Sequence, residues 1–97
     1  MQDKVPVPDR PRARRDVVER DLGGEAMLYD EARDRVARLN PTSRRIWRLC
    51  DGGRDAAAIA EVIAREFKVG PGIDVGRDVR GALAAFNAAG LLEPAAT

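Results

Sequence analysis

The sequence contains no histidine and only one cysteine. Without an imidazole, no side chain with an ordinary pKa near neutrality is available as a general base, and no His-ligated metal site can be built. One thiol cannot close an intramolecular disulfide. It suits a reducing compartment, so a cytoplasmic protein is expected. Aromatics are scarce: one Trp, one Tyr and two Phe. A core must therefore come from Leu, Val, Ile and Ala. No apolar run is long enough to span a membrane. The basic start has no apolar segment behind it, so it is not a secretory signal. A Gly-x-Ser-x-Gly turn and a phosphate loop are both missing. No catalytic residue, metal or cofactor is expected.

What is present fits one small domain. Of 97 residues, 44% are hydrophobic, enough for one modest core. Seventeen basic residues nearly balance sixteen acidic ones, for a formal charge of +1. That balance gives no general reason to expect nucleic acid as partner. The basic residues Lys4, Arg10, Arg12, Arg14 and Arg15 crowd the start beside Pro6, Pro8 and Pro11. Residues 1–15 read as a flexible or extended basic tail, 16–93 as the folded domain and 94–97 as a C-terminal tail.

The first half of the domain reads as strands. Residues 16–22 and 25–30 fit two strands joined by Gly23-Gly24, a pair suited to a two-residue hairpin turn. Residues 35–39 fit a third, with Ala37 and Leu39 on one face and Val36 and Arg38 on the other. Two strands alone are marginal in water, so a three-stranded meander is expected. The stretch 30–37 also has helical propensity.

The second half reads as helices. Asn40-Pro41 starts one over about 41–51, with Ile46, Leu49 and Cys50 on its apolar side and Asp51-Gly52-Gly53 as its stop. Asp55 caps a second over about 55–68, with Ile59, Val62, Ile63 and Phe67 as its stripe. Lys68 and Gly70 suit its end, and Pro71-Gly72 a turn. Asp74 caps a third over about 74–89, with Val75, Val79, Ala82, Leu83 and Phe86 buried and Gly90 as its stop. Leu91-Leu92 are expected to tuck onto the core. Gly76 and Gly81 sit inside this helix at a cost of about 1 kcal/mol each relative to Ala, either for close approach of another backbone or by simple tolerance. The class is α+β: an N-terminal three-stranded antiparallel sheet followed by three helices, winged-helix-like.

The chemical candidates are few. Asp30, Glu31 and Asp34 lack the Gly and terminal Glu of a calcium loop. Cys50 has no basic titratable neighbour to activate it and reads as a buried thiol. Trp47 reads as core or half-core. With no catalytic set and a third strand at a sheet edge, the residues suggest recognition. An open edge offers N–H and C=O groups to an extended peptide.

The run Leu28-Tyr29-Asp30, Arg38-Leu39-Asn40-Pro41-Thr42, Ile46-Trp47 and Asp51-Gly52 resembles the PqqD-like family. So do Ile59 and Ala60, Phe67 and Val69, Asp78-Val79, Leu83, Phe86 and Gly90-Leu91-Leu92, over about residues 16–93. The resemblance implies a non-catalytic chaperone of ribosomally made, modified peptides. The precursor's leader segment would add as a strand to the third strand and lie against the third helix. A modifying enzyme, often a radical S-adenosylmethionine protein, would then receive it. The implied contacts are Arg35, Val36, Ala37, Arg38 and Leu39 on the strand and Arg77, Asp78, Arg80, Gly81, Ala82 and Ala85 on the helix. Asn40, Trp47, Asp51 and Gly52 are assigned to the fold. Asn-Pro-Thr after Leu39, and a second turn without Pro-Glu-Gly, look closer to stand-alone relatives of lasso and radical-enzyme pathways than to the dedicated pyrroloquinoline quinone chaperone.

Two other readings remain. A winged-helix DNA-binding regulator is motivated by Arg44, Arg45, Arg48 and the basic arm, although Arg77 and Arg80 stand among Asp74 and Asp78 on the third helix. A homodimer through the free sheet edge is the other. On the leading reading, Ala37→Pro weakens peptide binding if that N–H faces the peptide. Arg77→Glu and Arg80→Glu weaken binding of an acidic leader and its salt sensitivity. Titration of labelled leader peptides measures all three.

Overall fold

The computed structural model describes residues 7–67, 70 and 72–94. Strands β1 (Val18–Leu22), β2 (Glu25–Asp30) and β3 (Arg35–Leu39) form one antiparallel sheet in the order β1-β2-β3. Helices α1 (Pro41–Leu49), α2 (Ala56–Phe67) and α3 (Val75–Ala88) follow. This is the meander and three-helix body that the sequence predicts. The stretch 30–37 becomes strand ends and a turn rather than helix. Pairing of Asp30 with Arg35 and Tyr29 with Val36 overrides its local propensity.

The sheet has one buried and one open face. Ala26, Leu28, Asp30 and Leu39 are buried on the helical side, with Ala37 half-buried beside them. Val18, Tyr29 and Val36 form a cross-strand row on the other side. Gly23 and Gly24, at φ +73° and +99°, make the turn that sets this register, with Leu22 opposite Glu25.

All three helices start on the expected caps. The Asn40 side chain accepts from the Ser43 N–H at 2.8 Å, Asp55 from Ala58 at 2.8 Å and Asp74 from Arg77 at 3.0 Å. The core runs from Leu28 through Ile46, Ile59, Val79 and Leu83 to Leu91 and Leu92. Trp47 stands edge-on to Phe86 at 5.6 Å within it. One predicted core residue is displaced: Phe67, in the last turn of α2, is 38% exposed. No backbone approaches the two helical glycines. A Cβ at Gly81 would meet nothing within 4 Å, and at Gly76 only the Arg80 and Asp74 side chains. Tolerance accounts for both. Lys68 and Pro71, expected at the end of α2 and the following turn, lie outside the described residues.

The N-terminal arm departs most from the sequence reading. Residues 1–6 lie outside the described part, as do 95–97 of the C-terminal tail, but residues 11–14 are fastened down. They run between Cys50–Gly52 and Leu91–Glu93, hydrogen-bonding on both sides. Ala13 N–H donates to the Cys50 carbonyl (2.9 Å) and Gly52 N–H to that of Pro11 (3.0 Å). On the other side Arg14 N–H donates to the Leu91 carbonyl (3.0 Å) and Glu93 N–H to that of Arg12 (2.8 Å). Pro11 is buried. The Arg14 guanidinium binds Asp30 at 2.8 Å, the Gly90 carbonyl at 2.9 Å and Asp16 at 2.6 Å. Asp16 first and Asp30 second raise its pKa further. Removing one partner of such a pair strands the other in a low-dielectric setting. Asp30→Ala is expected to cost about 2–3 kcal/mol of folding free energy, read by urea denaturation.

Candidate peptide-binding groove

Strand β3 is an edge. Among the described residues nothing pairs with its outer side, and the isolated bridges lie elsewhere. Which of its groups are free follows from the first hairpin. A two-residue turn closes on a hydrogen-bonded pair, here Leu22 and Glu25. Hydrogen-bonded and open pairs then alternate along β2, so Glu25, Met27 and Tyr29 bond to β1 while Ala26, Leu28 and Asp30 bond to β3. Their partners Leu39, Ala37 and Arg35 are thereby committed. Val36 and Arg38 are left to present their N–H and C=O outward. The condition on which the Ala37→Pro expectation rests is therefore not met, since the Ala37 N–H is spent on β2.

The side chains divide the other way. Arg35, Ala37 and Leu39 share the helical side, and Val36 and Arg38 the open side. Val36 is 56% exposed, and Arg38 is tied to Glu25 at 3.0 Å. No Cα of β3 comes within 8 Å of a Cα of α3, so the helix backbone does not crowd the strand. The Arg33 guanidinium lies over Gly90, which follows α3 at φ +74°. The β2–β3 turn thus meets the end of α3.

The six predicted residues on α3 do not share one face. Arg77 and Gly81 lie about 200° of helix rotation from the buried Val79, so they face solvent. Arg80 is equally far from Asp78 and Ala82. It lines an open cleft of about 710 Å³ with Leu83, the start of α2 and residues 7–10. Asp78, Ala82 and Ala85 share the flank turned away from that cleft. Ala82 packs on the core, and the other two are exposed.

The arginines that motivated a DNA reading are already paired. Arg44 binds Glu19 and Asp21 at 2.7 Å each, Arg48 binds Glu19 at 2.8 Å, and Arg45 grips Glu66 with two bonds. Burial works to raise the Glu19 pKa, but its bonds to Arg48 and Arg44 bring it below the ordinary value. These contacts hold α1 to β1 and α2. Nothing here favours a nucleic-acid interface.

A family model described as Coenzyme PQQ synthesis protein D (PqqD) matches residues 25–92. The chain belongs to the PqqD family. A solved structure of TbiB1 in complex with the TbiA(beta) leader peptide is similar to this PqqD-family chain, with a TM-score of 0.70 and 27% identity. The match covers 89% of this chain and 99% of that one. No curated protein matches by sequence.

Arg33 and Arg14 also shape this PqqD-family member, although nothing in the sequence marks them. Each acts on a residue far along the chain, and neither carries a local signal. Among the described residues no cluster of three acidic, Cys or His side chains is placed to hold a metal, and no helix is long and apolar enough to cross a membrane. Cys50 is buried, its thiol donating to the Ile46 carbonyl at 3.2 Å. Burial first, and the Asp51 charge second, push the thiol up to about 12. A pKa raised in the folded state stabilises fully below the ordinary value of 9.0 and loses that contribution as pH rises towards 12. The urea midpoint is expected to fall between pH 8 and pH 10.5 by more in the native protein than in Cys50→Ala. Ellman's reagent should label Cys50 only after unfolding.

Proposed function

We propose that residues 16–93, with the arm from Pro11 fastened to them, form a non-catalytic recognition element for the leader segment of a ribosomally made precursor peptide. The leader adds as a strand to β3, bonding to Val36 and Arg38, with α3 as the second wall through Asp78, Ala82 and Ala85. The unpaired edge of β3 carries this reading, because strand addition needs free ladder groups. The likeness to TbiB1, solved with a leader peptide, supports it. The bound precursor is handed in the cytoplasm to a modifying enzyme, with radical S-adenosylmethionine proteins among the candidates. A second copy of the chain would compete for the same edge, and the charges of Arg35 and Arg38 oppose that pairing.

Titration of fluorescein-labelled leader peptides, encoded beside the gene, tests this directly. Arg38→Pro removes an outward N–H at an edge position where Pro is tolerated, and should weaken binding about fivefold to tenfold with the fold intact. Ala37→Pro breaks a ladder bond to Leu28 and should lower stability instead. Equal affinity of Arg38→Pro and the native chain, or no binding of any such leader, would count against strand addition.

A further inference from the structure

The groove face of β3 presents three different chemistries at alternate positions. Arg35 is exposed and, among the described residues, has no hydrogen-bond or ion-pair partner. It differs in this from Arg38, Arg44, Arg45 and Arg48, each tied to a carboxylate. Glu31 and Asp34 lie in the adjoining turn, both exposed and neither bonded to Arg35. Ala37, next on this face, is small and half-buried, so it leaves room for a larger apolar neighbour. Leu39 is buried and apolar. On α3, the flank turned away from the Arg80 cleft carries Ala82 and Ala85, with Asp78 closer to the helix start.

Side chains on neighbouring strands face the same way, so a strand laid on β3 sets alternate residues against Arg35, Ala37 and Leu39. We infer that the bound leader segment reads acidic-x-apolar-x-apolar, in one chain direction or the other, with its carboxylate against Arg35. This rests on the proposed strand addition and names the peptide class that it selects. An unpaired guanidinium beside an incoming strand gains from a carboxylate. The two small or apolar positions after it gain from burying hydrocarbon.

A charge-swap cycle tests it. Anisotropy is measured with the fluorescein-labelled leader of the neighbouring precursor gene, against a copy whose acidic residue in this pattern is replaced by Lys. Arg35→Glu and the peptide change should each weaken binding about threefold to tenfold, and together should recover most of the loss. Arg20→Glu, on the open face of the far strand, should stay within twofold. A native leader that binds but has no acidic-x-apolar-x-apolar run overturns the inference and leaves strand addition standing. So does an Arg35→Glu affinity within twofold of native, or losses that simply multiply. If no leader binds the native chain, both fall.

Discussion

One ion pair holds three parts of this molecule in register. Asp30 ends β2, inside the protein, where an unpaired carboxylate would be very costly. Its partner Arg14 comes from the arm, and the same guanidinium reaches the carbonyl of Gly90 just past α3. Sheet, arm and last helix therefore meet at one charged node. The distance between β3 and α3 is set from this end. Arg33 lies on Gly90 at the same place. At the far edge of the sheet, Arg44 and Arg48 of α1 clasp Glu19 on β1.

An open edge strand invites self-association, and the local chemistry of β3 answers that hazard. The strand is five residues long and carries Arg35 and Arg38. Charge and short length discourage a second β3 from pairing with it, since like charges would be brought together. A peptide of suitable charge meets no such penalty. On the proposed strand addition, the arginines would act at once against the wrong strand and in favour of the right one.

Much of this was legible in the chain. Caps at Asn40, Asp55 and Asp74, the Gly23-Gly24 turn and the stripe of Val79, Leu83 and Phe86 are local signals, and local rules read them correctly. The alternation in Arg35–Leu39 also showed which side chains point inward. Two things were not legible. Phe67 continues the spacing of Ile59 and Ile63, yet it falls on the last turn of α2, where periodicity cannot say how far the core extends. The arm looked like a tail because Pro and Arg resemble disorder in composition. Its order comes from partners roughly forty to eighty residues away, and Asp30 was one carboxylate among three in its turn. For the site, the resemblance supplies strand and helix together, but helix phase separates Arg77 and Arg80 from Asp78, Ala82 and Ala85, with Gly81 beside Ala85.

The fastening of the arm has a bearing on how the chain folds. Ala13 bridges Leu92, so this contact closes a loop of almost the whole sequence. The hairpins and helix pairs close far shorter loops and meet little entropic resistance. Loop closure therefore favours assembly of helices and sheet first, leaving a slot between Cys50–Gly52 and Leu91–Glu93 for the arm. By the same reasoning it is the first piece to lift away in the native state, taking Arg14 from Asp30 while the sheet and helix core remain closed.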